Sequence, residues 1–289
     1  MTGPFSDAII RSLDDRWIRF RKQLRKLRKG VTADVVHDER TATRRLLSTL
    51  NVVEPVIGRK PVRRLEKHLR KMLKALGPLR DVHVEIEATR RFERGPRIPQ
   101  FRTHLRRQAW ALSKGAARRA SKVRVGRLRR GILRVEKQLS RLDQEPRRRP
   151  LLERIDLAFE KAVARRRALD PTDPVSLHRL RVALKNFRYA VEALQPVLRG
   201  VEPPQLEQLR RVQDDLGSIH DADVLSASFR DFMQRGAGAG RLPHLLPIQK
   251  QLLERHQEAA THAIQEADRI LEFWRQWTGK GYARLRSPK

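Results

Sequence analysis

Apolar residues recur every three or four positions along almost the whole chain. Because a helix turns about 100° per residue, such positions share one face of a helix. Residues 8 to 29 show the pattern ahead of Gly30, with Ile10, Leu13, Trp17, Phe20, Leu24 and Leu27. No segment shows a convincing alternation of apolar and polar residues, which is typical of strands. The pattern therefore predicts an all-α protein.

Glycine, proline and capping residues set the predicted helix boundaries. Asp34 is the predicted N-cap of the second helix, and Asp173, followed by proline, predicts the start of another. Gly77 and Gly217 are predicted to stop the helices before them. The helices are predicted at 34–57, 61–76, 101–123, 151–169, 174–198, 203–217 and 243–277, with further ones between 78 and 95 and from 221 to about 236.

The predicted helix that begins at Pro174 carries two separate stripes. Its cations fall on one stripe about 80° wide, formed by His178, Arg181, Lys185 and Arg188. The other stripe is apolar and consists of Leu180, Leu184, Phe187 and Val191. The helix is therefore predicted to place one face in a core and to keep another face entirely cationic.

Two motifs occur twice, in the same order and at nearly the same offset. The first begins at His37 and again at His178, 141 positions later, and its cations Arg40 and Arg44 match Arg181 and Lys185. The second, a Leu-Gly pair with an aspartate five positions after the leucine, ends at Asp81 and again at Asp221, 140 positions later. This double match indicates an internal duplication. We predict one domain over 8–277, with repeats at about 8–122 and 150–277 joined by a basic helical connector, 123–149.

The charge of the chain defines its class of partner. Of 289 residues, 65 are Lys or Arg and 33 are Asp or Glu, which gives a formal net charge of +32. Such a chain repels itself unless a polyanion is near, so DNA, RNA, polyphosphate or anionic lipid are the expected partners. The absence of cysteine excludes disulfides and thiol catalysis. No signal peptide and no apolar run of about 20 residues is visible, so we expect a cytoplasmic protein without a transmembrane segment.

The two motifs together resemble the CHAD domain (conserved histidine α-helical domain) family, over about residues 8 to 277. The resemblance implies helical bundles related by a pseudo-twofold axis, whose basic helices line a central channel or groove that binds inorganic polyphosphate. CHAD domains are often fused to a CYTH triphosphate-processing domain, and we expect a stand-alone member that lacks one. The resemblance implies phosphate contacts at His37, Arg40, Arg44, Arg45, Arg80, His178, Arg181, Lys185 and Arg188.

The two halves differ at several matched positions, so they are expected to contribute unequal charge. The differences are Asn186 against Arg45, His220 against Arg80 and Leu47 against Arg188. Three cations of the third helix are predicted to line the same groove, with an equal claim to be solvated surface: Lys67, Arg70 and Lys74. Asp81 and Asp221 are predicted to cap helices or to orient a stripe arginine, because a carboxylate in contact with polyphosphate would repel it.

Polyphosphate suits this pattern because it has no bases to stack and needs dense, pre-positioned cations. Arg bridges two phosphate oxygens with its planar fork, and Lys supplies a mobile point charge. His37 and His178 end the two stripes. A nearby polyanion favours their charged form, so binding is expected to strengthen on mild acidification.

Other functions fit the sequence less well. A nucleic-acid binder matches the charge, but an aromatic content of 5% disfavours stacking on single strands, which leaves duplex backbone binding. A phosphohydrolase would need clustered acidic residues for metal ions, and phosphate-loop and nucleophile-elbow patterns are absent. Membrane-surface binding has no specific support. We predict a non-catalytic polyphosphate binder without cofactor or metal, associated with polyphosphate granules, with nucleic acid as the alternative partner.

Overall fold

The computed structural model describes residues 4–92, 97–142, 148–236 and 246–280. This part of the chain is about 90% helical and contains no strand, which confirms the predicted all-α class. Its first five α-helices are α1 (Pro4–Lys29), α2 (Ala33–Ile57), α3 (Arg59–Ala88), α4 (Ile98–Ser121) and α5 (Val125–Leu139). The other four are α6 (Arg149–Arg167), α7 (Pro174–Leu194), α8 (Pro203–Gly236) and α9 (Leu246–Thr278).

Side-chain caps define the starts of the two helices that carry the repeated histidines. Asp173 begins α7 as predicted, because its carboxylate accepts hydrogen bonds from the N–H groups of Val175 and Ser176 at 2.9 and 3.0 Å. The predicted cap of α2 is wrong by two residues: Thr32 is the N-cap, and Asp34 lies in the first turn. A carboxylate in that turn still favours the helix, because the N-terminus carries partial positive charge. The predicted start of α9 at Pro243 lies outside the described residues.

Two predicted helix ends are wrong. Helix α3 continues through Gly77 and Pro78, and α8 continues through Gly217. The reason is packing on both sides of the expected break: Leu76 and Leu79 are fully buried. Tertiary burial of an apolar face outweighs the weak local propensities of glycine and proline. As a result, each motif that contains a Leu-Gly pair lies in the middle of a long, unbroken helix.

The predicted apolar positions form the core. The apolar stripe of α7 is buried throughout, as are the corresponding faces of α1, α2, α3 and α6. A second, smaller cluster lies where α4 packs beside the later turns of α3 and α8, and it consists of Val82, Ile98, Phe101, Leu105, Leu225, Phe229 and Met233. Trp277 anchors α9, because its indole N–H donates to the carbonyl of Arg199 at 2.8 Å.

Helix α5, within the predicted connector, is part of the main core. It packs against α1, α2 and α3 and buries Leu128, Ile132, Val135 and Leu139. Gly131 makes the close approach possible, since a Cβ at this position would lie 2.7 Å from Cδ2 of Leu65. The basic residues of α5 that face away from this contact are exposed.

Helices α2 and α7 pack against each other, and α2 also packs against α1, α3 and α6. The two helices that carry the repeated histidine motif are therefore direct neighbours at the centre of the fold. This contact brings together side chains that are far apart in sequence.

Candidate functional site

The cationic stripes of α2 and α7 meet in the interior of the protein. Arg40 and Arg44 from α2 lie close enough to Arg181 and Lys185 from α7 for their charges to interact, and we call these four residues the central cluster. Burial, together with the charges of Arg44 and Arg181, lowers the pKa of Lys185 to about 7. Burial also lowers the pKa of Arg40 to about 10. Cations that are held together and partly desolvated in this way attract an anion strongly.

Two arginines of the central cluster each lie close to the backbone of a glycine. A Cβ at Gly77 would lie 3.4 Å from Nη1 of Arg40, and a Cβ at Gly217 would lie 3.6 Å from Nε of Arg181. The Nη1 group of Arg40 also donates to the carbonyl of Leu73 at 3.0 Å. The duplicated Leu-Gly motif therefore supplies a small residue that lets an arginine of the duplicated histidine motif pass close to the backbone.

Asp81 and Asp221 balance one end of the cluster. Burial lowers the pKa of Arg80, and the charges of Asp221 and Asp81 oppose that shift. Asp81 also acts on Arg40 and Arg44 in the same way. Both aspartates lie inside unbroken helices, so the predicted capping role is wrong. Their position supports the alternative prediction, in which they orient arginines.

His37 lies at the edge of the cluster. The residue is exposed, and desolvation of its ring and the nearby charge of Arg80 lower its pKa. Its counterpart His178 is half-buried in the wall of a cleft. The side chain of His220 lies outside the described part of the structure.

A cleft of about 850 Å³ opens beside the central cluster, between α2, α3, α6 and α7, and we call it the α6 cleft. None of the described residues that line it is acidic. Four of its cationic or imidazole side chains were predicted from the sequence: Arg44, Arg70, His178 and Lys185. Four more were not predicted, and they are Arg154, Lys161, Arg165 and Arg179.

The unpredicted cations carry a signal in the sequence. Arg154, Lys161 and Arg165 are spaced by seven and four positions, which places them within about 40° on one face of α6. Their side chains are exposed, and none makes an ion pair with another described residue. Periodicity reveals such a face, but only the packing of α6 against α7 shows that the face borders the same cleft as Lys185.

Two predicted phosphate contacts lie beside a carboxylate. The Nε atom of Arg45 lies 3.5 Å from a carboxylate oxygen of Glu192, in a different cleft. Arg188 is buried, with its Nε 3.5 Å from the other oxygen of Glu192 and its guanidinium 4.7 Å from the ring centre of Tyr189. Glu192 therefore compensates part of the charge of these two arginines.

The three predicted cations of α3 separate into two groups. Arg70 lines the α6 cleft, although its guanidinium also pairs with Glu66 at 2.6 Å. Lys67 and Lys74 are exposed and do not line this cleft. A helix with cations around most of its surface can present only part of them to any one neighbour.

Comparison with known proteins agrees with this architecture. The family profile described as the CHAD domain matches residues 11–230. The chain belongs to the CHAD domain family. No curated protein sequence matches it.

Two solved structures share the fold. One is the crystal structure of the CHAD domain from the plant Ricinus communis, with 21% identity and a TM-score of 0.66 over 100% of this chain and 94% of the plant chain. The other is PptA from Streptomyces chartreusis, with 17% identity and a TM-score of 0.61 over 94% of this chain and 100% of PptA. No helix in the described ranges is long and apolar enough to cross a membrane.

Proposed function

We propose that this protein binds inorganic polyphosphate without catalysing its conversion, and that the central cluster with the α6 cleft is the binding site. One observation carries the proposal: eight basic side chains line a cleft beside a desolvated cation cluster, and no acidic residue lies among the described lining. Such a surface is electrostatically unfavourable unless a polyanion neutralises it.

The chemistry of the lining fits phosphate better than a base. Arginines provide planar forks that bridge two phosphate oxygens, and lysines provide point charges. Tyr189 is the one aromatic residue among the described lining, and only 7% of it is exposed. Trp110 is exposed on α4, but Lys114 lies 3.7 Å from its ring centre, and neither residue lines the cleft. Stacking of single-stranded bases therefore has no platform in the site.

The duplicated motifs support a pseudo-twofold arrangement of two halves around this site. The same contact between an arginine and a glycine occurs in each half, with Arg40 beside Gly77 and Arg181 beside Gly217. The symmetry is inexact, because Glu192 pairs with both Arg45 and Arg188. We infer a basic groove to which the two halves contribute unequal charge, in a cytoplasmic protein that collects on polyphosphate granules.

A competition experiment tests the proposal. The protein is bound to a labelled long-chain polyphosphate at near-physiological salt, and unlabelled polyphosphate, duplex DNA or RNA is added at equal phosphate concentration. The variant Arg181→Ala with Lys185→Ala is compared with Arg127→Ala and Arg130→Ala, which removes two exposed cations of α5. We expect only polyphosphate to compete, with a loss on the order of a hundredfold for the cluster variant and little change for the α5 variant.

Duplex nucleic acid is the second candidate partner, because the net charge of +32 suits any phosphate backbone. If DNA competes as well as polyphosphate and the two variants lose equal affinity, the protein is a general polyanion binder. That result would overturn the assignment of a dedicated polyphosphate site.

A further inference from the structure

The protein has a second cleft, and many of its lining residues have counterparts in the α6 cleft. It has a volume of about 740 Å³, is lined by α1, α2, the end of α7 and α8, and is called the α1 cleft here. On α2, this cleft is lined by Asp38, Thr41, Ala42 and Arg45. The residues 141 positions later line the α6 cleft, namely Arg179, Val182, Ala183 and Asn186. This offset is the one that separates the two repeated histidines.

The helices on the opposite wall correspond in the same way. Asp15 and Arg19 of α1 line the α1 cleft, and Lys161 and Arg165, 146 positions later, line the α6 cleft. The two clefts are therefore built by equivalent faces of α1 with α2 and of α6 with α7.

Three acidic residues of the α1 cleft have no acidic counterpart in the α6 cleft. Where the α1 cleft has Asp15, Asp38 and Glu192, the α6 cleft has Lys161, Arg179 and Asn51. An acidic residue in one cleft thus corresponds each time to a basic or neutral residue in the other. Because the two clefts are compared at matched positions of one chain, the difference between them does not follow from the net charge of the protein.

Two of the four arginines that line the α1 cleft, Arg16 and Arg45, are also used internally. Glu192 pairs with Arg45, and Arg16 donates to the backbone carbonyl of Glu192 and to the hydroxyl of Ser12. Burial lowers the pKa of Arg16 to about 10. A polyanion that entered this cleft would meet carboxylates and would have to break these contacts.

The α6 cleft offers an uninterrupted path instead. Lys185 of the central cluster and the cations Arg154, Lys161 and Arg165 line the same cleft. From Arg154 to Arg165 the path follows α6 for about 17 Å, at about 1.5 Å per residue. Leu157, half of which is exposed, lies in the same wall and adds no charge of either sign.

From this geometry we propose that polyphosphate leaves the central cluster on one side only, along α6, and that Asp15, Asp38 and Glu192 close the equivalent path along α1. The site therefore prefers chains long enough to fill both the central cluster and the α6 cleft. This inference rests on the proposed function and names the length class of its ligand and the direction of the bound polymer.

The first test removes the path and leaves the cluster intact. Arg154→Gln, Lys161→Gln and Arg165→Gln are combined, and the matched control combines Arg127→Gln, Arg130→Gln and Arg134→Gln on the exposed face of α5. Affinities are measured for tripolyphosphate and for a long-chain polyphosphate. For the long chain, we expect the α6 variant to lose affinity on the order of tenfold or more, and the slope of log affinity against log salt to fall by roughly 2. For tripolyphosphate, which is too short to fill the α6 cleft and the central cluster together, we expect a much smaller loss.

The second test opens the closed path. Asp15→Lys with Asp38→Arg gives two positions of the α1 cleft the charges of their counterparts and leaves the pairs of Glu192 intact. We expect tighter binding of the long chain with unchanged binding of tripolyphosphate, and unchanged long-chain affinity would count against a path closed by these carboxylates. Thermal unfolding of each variant checks that the fold is kept.

Failure of this inference is distinguishable from failure of the proposed function. If the wild-type protein does not prefer polyphosphate over nucleic acid, both are overturned. If the wild type prefers polyphosphate but the α6 and α5 variants behave alike, only the one-sided path is overturned. The same conclusion follows if the α6 variant loses tripolyphosphate and long-chain affinity in equal measure.

Discussion

The guanidinium of Arg181 lies against Gly217, with Nε and Nη2 at 3.6 and 3.7 Å from the place of a Cβ atom. The glycine belongs to one duplicated motif and the arginine to the other. One motif therefore positions the cation that the second motif supplies. Because both atoms are at ordinary van der Waals distance from that Cβ, the position tolerates a methyl group but not a longer side chain.

Gly217→Ala is expected to keep the affinity for polyphosphate and to raise the free energy of unfolding by up to about 1 kcal/mol, because alanine favours a helix interior over glycine. Gly217→Leu is expected to displace Arg181 and weaken binding. Denaturant unfolding and the polyphosphate affinity are measured for both variants. Equal affinity in the alanine and leucine variants would show that Arg181 does not depend on this contact.

Gly131→Ala has the opposite expected effect on stability. Its Cβ would lie 2.7 Å from Cδ2 and 3.0 Å from Cγ of Leu65, which is buried. Overpacking of this kind costs about 1–3 kcal/mol, which exceeds the gain in helix propensity. A midpoint of urea unfolding below that of the wild type would agree with this, and a midpoint equal to or above it would contradict the prediction.

Affinity for polyphosphate is expected to depend on pH through Lys185. Its pKa is lowered to about 7 in the free protein, and a bound polyanion raises it because the charged form is favoured. Binding is therefore strongest below about pH 7 and weakens by at most about tenfold per pH unit as the pH rises from 7 towards the pKa of the complex. The affinity is measured from about pH 6 to pH 9.

Lys185→Arg is the control for this pH dependence. Arginine keeps its charge over the whole range, so the variant is expected to bind with an affinity that changes little above pH 7. An unchanged pH profile in this variant would assign the dependence to another group. His37→Gln then tests the repeated histidine, whose pKa is lowered by desolvation and by Arg80.

Glu39 is expected to reduce the stability of the fold as the pH rises. Its side chain is fully buried in α2, where burial raises its pKa to about 9 and the hydroxyl of Thr43, at 3.4 Å, opposes that shift only weakly. The unfolded carboxyl titrates near 4.5, so stability is highest below that pH and falls as the pH rises towards 9. Glu39→Gln should remove this slope and stabilise the protein at pH 8 by on the order of a few kcal/mol, measured by unfolding at several pH values. A less stable glutamine variant at pH 8 would mean that Glu39 is ionised and paired.

Substitutions of Arg188 and Arg181 are expected to have different effects, the first mainly on the free energy of unfolding and the second mainly on polyphosphate affinity. Arg188 is 4% exposed and lies beside Glu192 and Tyr189. Arg188→Met should therefore destabilise the fold by about 1–3 kcal/mol, because Glu192 keeps Arg45 as a partner but loses Arg188. Arg181→Met should weaken polyphosphate binding with a smaller effect on unfolding. Thermal unfolding and affinity are measured side by side. The opposite pattern would place Arg188, and not Arg181, in the site.

The sequence was sufficient for those features that depend on one helix alone. The spacing of Arg181 and Lys185 assigned them to a cationic face, because helix geometry is local. The same rule explains why Arg45 does not line the cleft of Arg44. Adjacent residues on a helix point about 100° apart, so Arg44 and Arg45 line different clefts.

Features that depend on contacts between helices could not be predicted in this way. Gly77 and Pro78 have weak helix propensity, but buried leucines on either side keep α3 continuous. The cations of α6 form a stripe in the sequence, yet only the packing of α6 beside α7 makes that stripe part of the site. The predicted domain division and the remaining site residues stay predictions.

The position of α5 decides where the chain can be divided. This helix covers apolar surface of α1, α2 and α3, with Gly131 in contact with Leu65. A fragment that stopped at residue 122 would expose that surface to water and would be prone to aggregate. An isolated first half therefore has to extend at least to Leu142, whose side chain closes the same buried cluster. A boundary drawn by sequence repeats alone would cut α5 away from the three helices that it covers.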